Sequence, residues 1–332
     1  DQMMVSRVSQ PSVAAIVNAN QIMNLVIIVL SMASTAVTVI LSQYLGAQDE
    51  KNASRTCMVS LVLIGGVSLA ATILVFAGHT PLYRAIHVPE EVFDEASLYL
   101  LIVGAFILVQ GLYLTFSAMI RAFAMVKEVM IISVIMNVMN IVGNAILING
   151  WFGMPQLGAV GAAISTDISK LVGLALMIGM FFKSRRVKMG MSYLRPFPVQ
   201  ILKNLCLLAI PTGVESFSYN LSQMIILGIV NSFGTLVTVT KGYCTIFANI
   251  DYVYAMAIAT ATQIVLGYLI GARRLNDADI GNVVAGQAVK AHAQILHVAA
   301  LVVCLENAIG NRTLFGFFLC DGSAAFAWER RR

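Results

Sequence analysis

The feature that most constrains this chain is a series of apolar segments, each longer than the roughly 20 residues needed to cross the hydrocarbon core of a bilayer. After an opening half-helix near 1–7, full spans are predicted near 12–46, 55–78, 96–122, 129–149, 158–182, 204–230, 243–270 and 282–304. Such continuous runs satisfy their backbone groups inside lipid only as helices. The short alternating strands of a membrane barrel are not seen. An all-α polytopic membrane protein is therefore predicted.

The composition and the distribution of charge agree with this class. Only 11% of the residues are charged and the mean hydropathy is +0.85, whereas about a quarter of the residues of a soluble domain are charged. Alternate loops carry twelve and three basic residues. The richer set is Lys51, Arg55, Arg121, Lys127, Lys183, Arg185, Arg186, Lys188, Arg195, Lys203, Arg273 and Arg274, and the poorer set is Arg7, Arg84 and Lys241. The richer loops are predicted to be cytoplasmic, in a multi-pass protein of the cell inner membrane.

Signatures of catalysis and of nucleic-acid binding are absent from the sequence. The net charge of +5 follows from the loop asymmetry rather than from a nucleic-acid site. No phosphate loop, Ser-His-Asp grouping or metal-binding His/Cys cluster is found, and the five cysteines have no metal-ligand spacing. The chain is predicted to be neither an enzyme nor a cofactor-binding protein.

An internal similarity at an offset of 225 residues predicts two parallel six-helix halves. Asn24 and Gly46, for example, recur as Asn249 and Gly271. Such repeats are typical of transporters built from two lobes. The predicted N-terminal lobe is 1–195 and the partial C-terminal lobe is 196–304. The atypical tail 305–332 cannot supply three more spans, so the second lobe is expected to be incomplete. Either the chain is truncated or its tail is foreign to the parent gene.

A polar stripe runs along the predicted span 129–149. Ser133, Asn137, Asn140 and Asn144 are separated by four, three and four residues, which places them on one side of a helix whose other residues are apolar. One interpretation is that the amides join neighbouring helices through hydrogen bonds. The other, which we favour for a stripe of this length, is that they line a hydrated cavity.

Four segments resemble the multidrug and toxic compound extrusion (MATE) family. They read VAAIVNANQIMNLVIIVLSMASTAVTVILSQYLGAQDEKNASRT, RAFAMVKEVMIISVIMNVMNIVGNAILI, GMPQLGAVGAAISTDIS and AIPTGVESF. The resemblance covers residues 1 to about 290. It implies twelve helices in two lobes around a cleft, and export of organic cations or other amphipathic compounds driven by inward flow of H⁺ or Na⁺.

The resemblance also implies a cation site in the N-terminal lobe, formed by Asp1, Asn140, Asn144 and Thr166. Na⁺, if it is the coupling ion, would bind at Asp1, Asn140 and Asn144. Some members of the family have an aspartate at the position of Asn144, so the resemblance leaves the choice between H⁺ and Na⁺ open. The family's usual Gly-Asp after "RAF" is Ala124-Met125 here.

Further residues are candidates for the substrate cavity. Asn137, Gln110 and Tyr113 carry polar or aromatic groups in apolar spans, and an aromatic face attracts a lipophilic cation. For Gln110 or Tyr113 taken singly, packing within the lobe is the favoured alternative. Glu215 is either a second protonation site or a residue near the cytoplasmic interface, where its side chain is in water.

Two charged residues of the span 158–182 have a structural interpretation. Asp167 and Lys170 are three residues apart, so they are expected to neutralise each other as a pair on one helix face. A proton relay is the alternative.

The function predicted from these observations is secondary active efflux of drugs and organic cations by H⁺ or Na⁺ antiport, with alternating access between two lobes. The expected partners are small amphipathic or cationic substrates and the lipid bilayer, and the chain is expected to be monomeric. One alternative is a flippase for lipid-linked oligosaccharides or peptidoglycan precursors. Such a protein needs cationic residues for a pyrophosphate, and the spans of the first lobe offer only Lys170. The other alternative is a truncated fragment that does not transport.

Overall fold

The computed structural model describes residues 10–85, 90–149, 156–232, 235–277 and 281, and every regular element in them is helical. The helices are α1 (Gln10–Gly46), α2 (Glu50–Ala85), α3 (Glu90–Ala105), α4 (Ile107–Ala122), α5 (Val126–Asn149), α6 (Gly158–Ser184), a short 3₁₀ helix (Met191–Leu194), α7 (Val199–Ser232) and α8 (Thr235–Gly271). Among the described residues, α1, α2, α5, α6 and α8 are long and apolar enough to cross a membrane, and α3 with α4 forms a bent sixth span. The predicted all-α polytopic class is confirmed.

The span predicted as one helix over 96–122 is interrupted. Helices α3 and α4 meet at Phe106 with a bend of 44°. The Phe106 N–H donates to the carbonyl oxygen of Val103, three residues back, at 3.2 Å, which tightens the backbone at the break. Because the residues on both sides of the bend are apolar, the hydropathy pattern gives no sign of it.

Helices α1 and α2 are joined by a tight turn. Gln48 adopts the left-handed conformation, with φ of 56°, and its N–H donates to Leu45 O at 3.1 Å while that of Asp49 donates to Tyr44 O at 2.9 Å. These two bonds form a Schellman motif, which satisfies the last carbonyl groups of α1. The Asp49 carboxylate then accepts a bond from the Asn52 N–H at 3.0 Å and caps α2.

The predicted repeat is visible at the ends of α1 and α8. The two helices end at Gly46 and Gly271, which are 225 residues apart. Gln48 and Arg273, separated by the same offset, both adopt the left-handed conformation, with φ of 56° and 59°. The similarity between the two segments therefore extends from sequence to backbone conformation.

The same two glycines lie where helix backbones meet. A Cβ atom on Gly46 would overlap the backbone of Tyr268, and one on Gly271 would overlap the backbone oxygen of Gln43. Gln43 and Tyr268 are themselves 225 residues apart, so the two contacts are reciprocal, as expected between elements related by a two-fold axis. We call this contact the α1–α8 crossing. The Tyr268 hydroxyl also donates to Ala122 O at 2.8 Å.

The chain divides into two compact units. Of the described residues, the first unit contains those from 10 to 219 together with Gly267–Arg273, and the second contains those from 220 to 266 together with 274–277 and 281. In the first unit α6 packs against α1, α3, α4 and α5. The opening half-helix near 1–7, the span near 282–304 and the tail 305–332 lie outside the described residues. The lobe boundaries at 195 and 304 stay a prediction.

Candidate functional site

The site is built where α5 and α6 approach closely. Helix α6 carries a small residue at every fourth position on one side, namely Gly161, Ser165, Ser169 and Gly173. A Cβ atom on Gly161 would lie 2.7 Å from Leu147 O, and one on Gly143 of α5 would overlap the Ser165 hydroxyl. Small residues at such spacing let membrane helices pack backbone to backbone. Short polar side chains can therefore reach from one helix to the other.

Three side chains form a hydrogen-bonded chain across this contact. Asn144 Nδ2 donates to Asn140 Oδ1 at 3.2 Å, and Asn140 Nδ2 donates to Thr166 Oγ1 on α6 at 3.0 Å. The Ser165 hydroxyl donates to the backbone oxygen of Asn140 at 3.1 Å. Asn144 is only 1% exposed. We call Asn140, Asn144 and Thr166 the amide network.

A second polar contact joins α5 to α4. The Tyr113 hydroxyl and Ser133 Oγ are 3.1 Å apart, within hydrogen-bond distance. Tyr113 is 7% exposed, and Gln110, one turn earlier on α4, is half-buried. The polar stripe of α5 thus faces two neighbouring helices: Ser133 faces α4, and Asn140 faces α6.

The remaining predicted site residues are placed differently. Asn137 is exposed although it belongs to the same stripe, and Glu215 is exposed on α7. Asp1 lies outside the described residues. Of the four residues predicted for cation coupling, the structure brings Asn140, Asn144 and Thr166 together. Their coupling role, like the cavity role of Asn137, Gln110, Tyr113 and Glu215, stays a prediction.

Two features of this region were not expected from the sequence. The first is Ser165, whose side chain contacts the backbone of Asn140; the signal that could have found it is the four-residue spacing of small residues on α6. The second concerns Asp167, which is 1% exposed. Within the described part of the chain, neither of its carboxylate oxygens has a hydrogen-bond partner. No hydrogen bond therefore joins Asp167 to Lys170, and their mutual neutralisation stays a prediction.

The chemistry available in the amide network is that of uncharged oxygen ligands and amide donors. Oxygens of this kind suit a hard cation when a carboxylate completes the set, and the residue predicted to supply that carboxylate is Asp1. Among the described residues, no group of three or more His, Cys, Asp or Glu side chains is arranged to hold a metal ion.

The fold and these polar contacts first define the class of protein, which is a multi-pass α-helical membrane protein with hydrogen-bonded amide side chains at the contact between two of its spans. A family model for MatE matches residues 1–146 and 211–309. The chain therefore belongs to the MATE family, whose members are transporters. This confirms the resemblance found in the sequence.

Individual relatives agree with this assignment. The chain is 35% identical over 278 residues to the uncharacterized transporter YisQ of Bacillus subtilis (strain 168), an alignment that covers 84% of this chain and 61% of YisQ. It is 26% identical over 245 residues to the probable multidrug resistance protein NorM of Halalkalibacterium halodurans, covering 73% and 54%. The chain thus spans about three-fifths of the length of the first of these relatives.

Solved structures with little sequence identity have the same fold. A crystal structure of a MATE in the bent conformation superimposes with a TM-score of 0.83 at 20% identity, covering 91% of this chain and 67% of the other. A transporter of the MOP superfamily from Pyrococcus furiosus gives a TM-score of 0.81 at 19% identity, covering 91% and 67%.

Proposed function

We propose that this chain carries out secondary active efflux of amphipathic organic cations across the cell inner membrane, driven by inward flow of H⁺ or Na⁺. The observation that supports the proposal is the amide network, in which buried Asn144 bonds to half-buried Asn140 and Asn140 bonds to a second membrane-crossing helix. The names of several relatives support the substrate class, since they are described as probable multidrug resistance proteins. The proposal requires no cofactor.

The amide network is suited to couple ion binding to helix packing. The side chain of Asn140 accepts a bond from Asn144 on its own helix and donates one to Thr166 on α6. An ion that takes the amide oxygen of Asn140 or the hydroxyl oxygen of Thr166 as ligand therefore binds at an atom that also takes part in a bond inside α5 or between α5 and α6. The ion and the packing of the two helices are then linked through the same side chain.

Antiport follows if this linkage differs between two states of the protein. Binding of H⁺ or Na⁺ at Asp1 and the amide network from outside would favour one packing of the unit, and the bound drug would favour the other. The two ligands need not touch, because each shifts the same equilibrium only through its difference in affinity for the two states.

The test is ethidium efflux from cells that lack their own efflux pumps. The chain should lower ethidium retention, and Asn144→Ala should abolish this effect at equal expression. Ser169→Ala is the matched control, since its buried hydroxyl bonds within α6 to Ser165 O at 2.8 Å, outside the network. Wild-type efflux by Asn144→Ala would remove this residue from the site.

The same strain separates the alternatives. No efflux by the unchanged chain, with efflux by the H. halodurans relative, would favour a non-transporting fragment. Purified chain in liposomes, given a pH gradient or a Na⁺ gradient separately, identifies the coupling ion. Movement of a lipid-linked pyrophosphate in those liposomes, without ethidium transport, would favour the flippase.

A further inference from the structure

The linker between α6 and α7 carries positive charge without negative charge nearby in the sequence. No Asp or Glu occurs anywhere from 168 to 214. We call residues 185–198 the basic linker. In the described part of the chain the single ion pair joins Arg274 to Asp277, so the basic side chains of the linker have no carboxylate partner there. All of them are exposed, and they are Arg185, Arg186, Lys188 and Arg195.

The basic linker is held against the first unit. The Lys188 N–H donates to Ser54 Oγ on α2 at 3.2 Å, and the 3₁₀ helix within the linker packs against α2. Ser54 closely follows the turn between α1 and α2, so the linker lies at the end of the unit that is predicted to be cytoplasmic. The linker residues that pack against the apolar core of the unit are Val187, Met189 and Leu194.

Other apolar side chains of the linker face outward beside the charges. Met191 is 73% exposed and Phe197 is 43% exposed. Because α6 is long and apolar enough to cross the membrane and ends at Ser184, the linker begins at the boundary of the bilayer. Apolar side chains next to basic ones suit that boundary, where they can enter the region between headgroups and acyl chains.

An anionic phospholipid matches both parts of this surface. The cytoplasmic leaflet has a negative surface potential that attracts basic clusters next to membrane helices, and phosphate oxygens accept strong hydrogen bonds from Arg and Lys. A free phosphate ion or an acidic soluble protein would match the charges but would leave Met191 and Phe197 in water. The orientation of the chain requires only the charges, so the apolar side chains beside them indicate a binding role.

We propose that the basic linker binds the headgroups of anionic phospholipids in the cytoplasmic leaflet. Its four basic side chains contact the phosphate groups, and Met191 and Phe197 insert between the adjoining lipids. A lipid bound in this way lies where α6 ends and α2 begins. This binding is independent of the proposed transport.

Native mass spectrometry of the full chain in a neutral detergent tests the proposal without altering any residue. Phosphatidylglycerol should bind with an affinity on the order of tenfold higher than that of phosphatidylcholine with the same acyl chains. Equal binding of the two lipids would overturn the proposal, and an acidic soluble protein would then be the better match to the charges. Displacement of phosphatidylglycerol by an equal concentration of glycerol phosphate would also overturn it, because the surface would then bind a free anion.

A triple variant tests whether the linker is the binding site. Arg186→Gln/Lys188→Gln/Arg195→Gln should lower the affinity for phosphatidylglycerol by about tenfold or more, because each basic residue near the headgroups contributes to the attraction. The three side chains are exposed, so the thermal stability of the variant should match that of the unchanged chain. An unchanged affinity would overturn the proposal.

The matched control removes the same number of exposed charges from other loops predicted to be cytoplasmic. Lys51→Gln/Lys127→Gln/Arg273→Gln has the same net charge as the linker variant, and it should lose much less affinity for phosphatidylglycerol. Equal losses in the two triple variants would overturn the proposal, because binding would then depend on net charge and not on the linker.

The apolar part of the surface has its own test. Met191→Ser/Phe197→Ser keeps every charge and should weaken phosphatidylglycerol binding by a smaller factor than the linker variant does. An unchanged affinity in this double variant would overturn the insertion of these side chains between lipids. Absence of ethidium efflux by the unchanged chain would count against the proposed function alone, because lipid binding is measured without transport.

Discussion

In the first unit, glycines allow two pairs of helices to approach closely, but the residues beside the glycines differ. At the α1–α8 crossing, Gly46 and Gly271 bring backbone directly against backbone. Between α5 and α6, Gly143 and Gly161 also allow a close approach, but here the amide network lies at the same helix contact. Close approach alone is thus a packing device. The buried polar side chains that accompany it at α5–α6 are what indicate chemistry.

The largest effect on stability is expected when a methyl group is added at the α1–α8 crossing. Gly46→Ala should lower the stability of the protein by about 1–3 kcal/mol, because the added Cβ atom would overlap the backbone of Tyr268 and overpacking of this kind is costly. Thermal unfolding in detergent measures this. Gly66→Ala on α2 is the matched control, since its Cβ atom would meet nothing within 4 Å. Equal stability of the two variants would show that the crossing is loosely packed.

A smaller effect on stability is expected at the polar contact between α5 and α6. Thr166→Val removes the oxygen that accepts from Asn140 Nδ2, and the lost interhelical bond should cost about 1 kcal/mol. Thr166→Ser keeps a hydroxyl group and should retain most of the stability. If Thr166→Val lowers thermal stability and leaves ethidium efflux intact, Thr166 joins the two helices and does not bind the coupling ion.

An effect of similar size but opposite sign is expected at a turn that resembles the end of α1. Ala124 adopts the left-handed conformation with φ of 61°, within a Schellman motif that ends α4. Ala124→Gly should stabilise the protein by about 1 kcal/mol, because a Cβ atom is unfavourable in this conformation. Ala118→Gly, at a buried helical position of α4, should have the opposite sign. A decrease in melting temperature for Ala124→Gly would contradict the assigned conformation.

Hydrophobicity and spacing predicted a large part of the fold. Lipid imposes an apolar surface and satisfied backbone groups, so most spans could be located from the sequence. The 225-residue offset also identified Gly46 and Gly271 as equivalent. It could not show that these glycines contact each other's helix, because a repeat specifies correspondence and not packing. The bend at Phe106 depends on local backbone geometry within apolar sequence, which hydropathy does not register.

The site was predicted less completely, for a related reason. Helical periodicity fixes which residues of α5 share a side, but it does not specify which helix each one faces. Asn140 and Asn144 join the network, whereas Asn137, at the edge of the same stripe, is exposed. Spacing likewise suggested that Asp167 and Lys170 could pair on one helix face. It could not specify the hydrogen-bond partners of Asp167, because these depend on how α6 packs against neighbouring helices such as α3.

The turn at Ala47–Asp49 has a mechanical consequence. Its three successive N–H groups all bond back into the last turns of α1, and the Asp49 carboxylate holds the first turn of α2. The turn is therefore held by hydrogen bonds to both helices, and we expect a tilt of α1 at this end to be accompanied by a tilt of α2. At this end of the unit, α1 and α2 are then expected to move together rather than separately.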